Sequence, residues 1–378
     1  MIANPGAMRD RLAMYGRNRL KLGLFAANCS SGRAVTTVPE RWPATWRANR
    51  QLAIDADDAG IDFLLPIGRW KGYNGATDFQ GTTFETITWA CGLLAATRRI
   101  TVFGTVHAPL LHPVIAAKEF VPADHIGEGR FGLNIVPGWN EGEFEMFGAT
   151  VRDHDLRYDF AQEWIDIIKR AWSSDEDFDF DGTFFKLKGV RSKPKPFGGA
   201  RPVIMNAGAS PRGRDFALRN CDAYFTGASL DTLDSAAQGV AEIRTQARKA
   251  GGEIGVYTTG DIVCRPTRDE AQDYFRYCAQ EHVDWGAIDY MMAIREHEPP
   301  TDPVAYAAYR KGMATRLSGF SMVGSPDDVA GLLARLSAAG FDGIAFSFVN
   351  YQSEFPYFRD EVLPRLERLG LREPVKRS

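Results

Sequence analysis

Eight short apolar runs, rich in β-branched and aromatic residues, recur along the chain with helical patterns between most of them. They are Leu22–Ala26, Phe63–Ile67, Ile100–Val106, Phe131–Val136, Val203–Asn206, Ala223–Thr226, Gly255–Val263 and Gly343–Phe348. Runs of this kind read as buried strands, and strands that alternate with helices build a parallel sheet covered by helices. Eight is the number that closes a (β/α)8 barrel. The rival is an open, doubly wound sheet. Its best signal is a GxGxxG after the first strand, and here that strand leads instead into Asn28-Cys29-Ser30-Ser31-Gly32. The expected fold class is therefore α/β, a TIM barrel.

The helical patterns support the alternation. Ala48–Ala59 stops at Gly60, and Glu85–Thr97, Val114–His125 and Arg157–Ala171 carry apolar residues at helical spacing. Val329–Ala339 follows Ser325-Pro326-Asp327, an N-cap serine with proline in the first turn. Two intervals are too long for plain loops. Residues 137–202 include a hairpin-like turn at Asp181-Gly182. Residues 265–321 are polar, mostly helical, and rich in His, Glu and Pro around 295–303. Barrel insertions commonly sit on the catalytic face. The expected organisation is an N-terminal arm (1–20), one barrel domain (21–365) with insertions near 137–202 and 265–321, and a C-terminal tail (366–378).

Composition narrows the function classes. A chain of 378 residues with 44% hydrophobic and 25% charged residues can bury a large core as a single barrel. A net charge of −3 forces no nucleic-acid surface. Cys29, Cys91, Cys221, Cys264 and Cys278 are scattered and form no CxxC, which argues against a disulfide framework and against a cysteine zinc site. HExxH, GxSxG and Walker patterns are missing too. The first twenty residues lack the apolar core of a signal peptide, and no run approaches the ~18 apolar residues of a membrane span. Met8 is an alternative start. The expected location is the cytoplasm.

In a barrel the site forms where the strands end. Five consecutive runs end in polar residues: Asn28–Gly32, Gly68–Gly75, Thr105-Val106-His107, Asn134 with Pro137-Gly138-Trp139, and Asn206–Ser210. Asn206–Arg214 is the best phosphate candidate. Gly208 lets backbone approach, Ser210 can donate, and a helix starting just after presents its positive end. An ordinary capped turn uses the same residues. Arg157 could hold a phosphate bidentately, although Asp153 or Asp155 could simply cap the helix there. His107 is a candidate general base, and a strand-end histidine is also often structural. Some of the eight tryptophans could stack on a planar cofactor.

Taken in order, these segments resemble a known family. FLLPIGRWKGY (Phe63–Tyr73) is followed by TTFETITWACGLLAATRRITVFGTVHAPLLHP (Thr82–Pro113), GRFGLNIVPGWNEGEFEMFG (Gly129–Gly148), HDLRY (His154–Tyr158) and MNAGASPRG (Met205–Gly213). The set resembles the bacterial-luciferase-like flavin-dependent monooxygenases, in the branch with pyrimidine, dimethylsulfone and alkanesulfonate monooxygenases. It spans roughly residues 20–350.

The resemblance implies a barrel that binds FMN as FMNH2 at the C-terminal strand ends. A separate NAD(P)H:flavin reductase supplies it, and O2 reacts through a flavin peroxide, at N5 in the pyrimidine-cleaving relatives. It further implies a homodimer or homotetramer. Gly68 and Arg69 match the segment against the flavin ring, and Thr105 and Asn134 match the oxygen-positioning pair. Glu143 matches a flavin-contacting carboxylate. Arg157 and Tyr158 match a pair near the ribityl phosphate, and Gly208 and Ser210 match the phosphate turn. With His107, Thr105 and Asn134 make up the expected catalytic set. Gly68-Arg69 stands where pyrimidine monooxygenase has Ile-Lys, and His107 and Pro109 also differ, so the resemblance does not carry that substrate over. Arg69, Lys71 and His107 read as a cationic rim suited to an anionic or electron-poor substrate. The competing expectations are a deazaflavin-dependent oxidoreductase on the same barrel and a non-catalytic flavin-binding barrel.

Overall fold

The computed structural model describes residues 12–229, 232–294, 299–315 and 320–375. The strands are β1 (Lys21–Phe25), β2 (Phe63–Leu65), β3 (Thr101–His107), β4 (Phe131–Val136), β5 (Phe178–Asp181), β6 (Lys186–Val190), β7 (Val203–Asn206), β8 (Ala223–Phe225), β9 (Gly255–Cys264), β10 (Phe320–Gly324) and β11 (Gly343–Ser347). Eight of them pair in parallel in the order β1-β2-β3-β4-β7-β8-β9-β11, and β11 returns to β1. This is the closed (β/α)8 barrel, and its strands are the eight apolar runs. β10 is an addition. It lies outside the ring, parallel to the far half of β9 from Phe320↔Gly260 to Gly324↔Cys264, starting at the very end of the interval expected to be mostly helical.

Period-two alternation sorts each strand's side chains between two cores. Phe63, Phe103, Val203, Met205, Phe225, Tyr257 and Ala345 form a cluster inside the barrel. Leu22, Leu24, Val102, Leu133, Ile135 and Ile204 face outward into a larger cluster shared with the helices. Two strand glycines make room for the inner rings. A Cβ on Gly23 would lie 2.2 Å from the Phe63 ring, and one on Gly132 would lie 2.3 Å from the Phe103 ring. Phe63 then meets Phe103 and Tyr257 edge-on at 6.0 and 5.9 Å. The interior is thus a packed plug, and the site is left to the strand ends.

The helices that matter for the site are α1 (Trp46–Asp58), α2 (Thr86–Ala96), α3 (Pro113–Ile126), α4 (Glu141–Met146), α5 (His154–Ser173) and α6 (Pro211–Asn220). Further on, Pro326–Ala338 starts from Ser325, whose side chain and that of Asp328 form a reciprocal capping box. In the first insertion, β5 and β6 form an antiparallel hairpin. Its turn is held by Glu163, which accepts from the Thr183, Phe184 and Phe185 amides. The second insertion docks on the loop after β2. Asp284 accepts from the Ala76 and Thr77 amides and the Thr77 hydroxyl, and Ala287, Ile288 and Met292 pack against Tyr73 and Phe79. Part of its expected His- and Glu-rich stretch, 295–298, lies outside the described residues. So do residues 1–11 of the expected arm, Met8 among them, and 376–378 of the expected tail. Near the ends of the described chain, the Leu20 amide donates to Leu371 O at 3.0 Å, and Arg372 is buried. Among the described residues, no helix is long and apolar enough to cross a membrane.

Candidate active site

Three groups of polar side chains or turns meet at the C-terminal ends of the barrel strands. The first lies on β2, β3 and β4. Thr105 and Asn134 are register partners on adjacent strands. Asn134 Nδ2 donates to Thr105 Oγ1 at 3.1 Å, and that hydroxyl donates to Pro66 O at 2.6 Å. From behind, Thr86 at the start of α2 brackets the Thr105 backbone, donating to its carbonyl at 2.7 Å and accepting from its amide at 3.1 Å. The Thr105 hydroxyl is therefore fixed in direction, while Asn134 stays partly open to the mouth. A Cβ on Gly68 would sit 3.1 Å from both His107 Cε1 and Thr105 Cγ2, so glycine permits this close stack.

Glu143 is delivered to this group by the turn before α4. Gly138 has φ +90°, a conformation glycine adopts without a Cβ penalty, and a Cβ there would strike the Phe144 ring at 2.3 Å. Glu143 Oε1 accepts from Arg69 Nη1 at 2.9 Å and from the Trp70 amide at 2.9 Å. The Arg69 guanidinium also lies 4.4 Å above the Tyr73 ring. Glu143 Oε2 is buried without a hydrogen-bond partner, 3.8 Å from His107 Nε2. Burial pulls the His107 imidazole down to about 4; the Glu143 carboxylate opposes this and Arg69 adds to it. His107 is consequently neutral at pH 7. The expected cationic rim is corrected by these contacts. Arg69 is neutralised by a buried carboxylate and His107 carries no charge, which leaves Lys71, exposed at the surface.

The second group lies after β7. Asn206 donates from Nδ2 to Ile135 O at 2.7 Å and accepts at Oδ1 from the Gly208 amide at 2.8 Å. Tyr224 Oη donates to Gly208 O at 3.0 Å. Gly208 and Gly213 pack backbone to backbone. A Cβ on Gly208 would lie 2.8 Å from Gly213 Cα and 2.5 Å from Tyr158 Oη. Ser210 caps α6, its Oγ accepting from the Gly213 amide at 3.1 Å, with Pro211 in the first turn. Tyr158, on α5, thus touches the glycine turn. Its neighbour Arg157 reaches the other turn, with Nη1 donating to Gly138 O at 2.8 Å.

Sequence reasoning missed the third group. Asp261 on β9, Ser347 at the end of β11 and Arg33 beyond β1 are all buried. Ser347 Oγ donates to Asp261 Oδ1, and Arg33 Nε lies 3.7 Å from the same oxygen. The available signal was a lone carboxylate inside the apolar run GVYTTGDIVC, since a buried charge needs a partner. Asn28, one of the polar strand ends, has a structural part. Its side chain pins the ends of β1 and β2 together, donating to Ile67 O at 2.8 Å and accepting from the Ile67 amide at 2.9 Å.

Residues 20–343 match the model of one protein family, the luciferase-like monooxygenases. The chain belongs to this family. It is an enzyme of the flavin-dependent monooxygenase class. It is 29% identical over 366 residues to the FMNH2-dependent dimethylsulfone monooxygenase of Pseudomonas fluorescens (strain Pf0-1), covering 95% of this chain and 98% of that one. It is 26% identical over 358 residues to pyrimidine monooxygenase RutA of Escherichia coli O81 (strain ED1a), covering 93% and 92%. Among solved structures, the riboflavin lyase RcaE superposes with a TM-score of 0.83 at 22% identity, covering 95% of this chain and 94% of that one. DmoA from Hyphomicrobium sulfonivorans also superposes at 0.83, with 18% identity and coverage of 95% and 91%.

Proposed function

We propose that this enzyme uses FMNH2, delivered by a separate NAD(P)H-dependent flavin reductase, and O2 to oxidise or cleave a small organic substrate such as a heterocycle, sulfone, sulfonate or halogenated aromatic. The observation that carries this reading is the fixed Thr105–Asn134 pair beside a glycine turn that opens a helix. The residues fit the cofactor. Gly208 and Gly213 pack too closely to admit a Cβ on either, which holds the turn tight at the positive end of a ten-residue helix. Ser210 Oγ already accepts from Gly213, so its proton is left to donate to a phosphate oxygen. Tyr158 extends that side, whereas Arg157 turns to Gly138 O on the other turn. Gly68 and Arg69 would lie along the ring, and Glu143 Oε2 is a buried acceptor still lacking a donor.

Reduced FMN, once bound, supplies the electrons that activate O2. The chain's own part is to position and to move protons. Thr105 and Asn134 offer small neutral hydrogen-bonding groups sized for an oxygen species. His107 is neutral at pH 7 and can accept a proton only transiently, because burial and Arg69 outweigh the Glu143 carboxylate 3.8 Å away.

A reductase-coupled oxygen-uptake screen over the four substrate classes tests this reading. The expected result is substrate-dependent uptake that requires the reductase and NAD(P)H. Failure to bind reduced FMN at micromolar concentration overturns it.

A further inference from the structure

Across the mouth from Thr105 and Asn134, Asp261 stands outside the machinery described so far. It is the seventh residue of β9, as His107 is of β3, and β9 continues to Cys264. Its side chain falls on the same face of the strand as Tyr257, which belongs to the barrel interior. Oδ1 is held by the Ser347 hydroxyl and faces Arg33. The Arg33 guanidinium lies 4.7 Å over the Phe25 ring, which fixes its place. Oδ2 is buried and has no hydrogen-bond partner. Two more polar atoms beside the loop after β1 share that condition, Ser31 Oγ and Gln80 Oε1. Gln80 is tied to that loop by its Nε2, which donates to Gly32 O at 2.7 Å.

Charge narrows what this wall can receive. Arg33 faces Asp261 and Arg69 faces Glu143, each pair buried, and His107 is neutral. Arg33 and Arg69 are thus each faced by a buried carboxylate. On the β9 side Asp261 Oδ2, Ser31 Oγ and Gln80 Oε1 are buried acceptors. The Asp261 carboxylate would repel an anion, whereas a neutral donor would find in Oδ2 an acceptor already desolvated.

We propose that Asp261, braced by Ser347 and Arg33, is a substrate-binding residue that accepts a hydrogen bond from an N–H or O–H of a neutral amide- or hydroxyl-bearing substrate. This rests on the flavin reading of the same site. It narrows the substrate classes to neutral, donor-bearing ones and sets sulfonates aside. The groups facing the carboxyl are Arg33 from the loop after β1, Ser347 from β11 and Tyr351 beyond it. Burial raises Asp261 to about 6, against the pull of Arg33 and Ser347. The carboxylate acceptor is present above that pH and fades below it.

The test uses the full chain and three probes of similar size: 2-piperidone, N-methyl-2-piperidone and cyclopentanecarboxylate. FMN binding is titrated first by flavin fluorescence, and the probes then follow by calorimetry with and without FMN. A failure of FMN to bind breaks the flavin reading and is seen separately. The expected result is that 2-piperidone binds about tenfold or more tightly than either other probe, because a site built to accept a donor rejects the analogue lacking it. That preference should vanish in Asp261→Asn, which puts an amide N–H where an acceptor was, and shrink in Ser347→Ala, with FMN affinity unchanged in both. In the wild type the preference should fade as pH falls through about 6. Equal binding of the three probes, a preference that Asp261→Asn leaves intact, or no 2-piperidone binding up to about 10 mM overturns the proposal.

Discussion

Thr105, Asn134, His107, Arg69 and Glu143 make their side of the mouth from side-chain atoms, whereas Asn206, Gly208, Ser210 and Gly213 make theirs largely from backbone. On the first side each functional atom is aimed by another side chain, and the directions come from strand register and one long-range ion pair. On the second side the turn is shaped by glycines packed too closely to admit a Cβ, with the side chains of Tyr158 and Tyr224 against it. The two constructions have opposite weaknesses. A site of side chains fails when an atom is removed, because its buried partner is stranded. A site of backbone fails when an atom is added.

The largest expected effect tests removal. Glu143→Ala strands the Arg69 guanidinium, whose side chain is 8% exposed. Breaking a buried ion pair from one side costs about 3–5 kcal/mol. The denaturation midpoint should fall accordingly, and Glu143→Gln, which keeps acceptors for Arg69 and Trp70, should lose less. A Glu143→Ala variant as stable as wild type would erase the distinction.

A pH experiment sharpens the same side. His107 has its folded-state pKa lowered from 6.5 to about 4. Between those values the unfolded chain binds more protons, so the stability this residue gives is complete above 6.5 and is lost as pH falls toward 4. The span corresponds to roughly 3 kcal/mol at most. Asp261, raised from 3.8 to about 6, has the opposite slope across nearly the same range. The prediction is therefore a difference: His107→Asn should lose less stability than wild type between pH 6.5 and 4, read by denaturant melts. Parallel curves would show that His107 is not held neutral.

Addition is tested next. Gly208→Ala places a Cβ 2.8 Å from Gly213 Cα and against Tyr158. Overpacking of this kind costs about 1–3 kcal/mol. It should appear mainly as weaker FMN binding, by roughly tenfold to a hundredfold. The smallest effect belongs to Thr105→Val, which deletes the bonds to Pro66 and Asn134 while keeping volume. Oxygenation should fall by roughly tenfold, about 1.4 kcal/mol, with FMN affinity unchanged. If Thr105→Val weakened FMN binding as much as Gly208→Ala, the two sides would not be separable.

The sequence made the backbone side easier to read than the side-chain side. A glycine turn ahead of a helix is local, so Asn206–Gly213 announces itself within eight residues. The eight barrel strands are equally legible, because each is a bounded apolar run. β10 was hidden because Phe320–Gly324 adjoins a polar helical stretch and pairs only with the overhang of β9. The charge of the mouth was misread for a related reason. Arg69 and Glu143 lie 74 residues apart, so counting cations near Arg69 cannot reveal its neutralising partner. Asp261 was overlooked because an apolar run suggests a core strand, and the guanidinium and hydroxyl that make its burial tolerable come from the distant loop after β1 and from the end of β11.

The rings of Phe63, Phe103 and Tyr257, admitted by Gly23 and Gly132, also decide how molecules come and go. Among the described residues these rings fill the axis of the barrel, so it offers no passage through to the strand ends. On the proposed reading, flavin and substrate then reach the site from the same side of the barrel, and whichever seats deeper enters first and leaves last. The order can be read from which ligand, held in excess, keeps another from getting out.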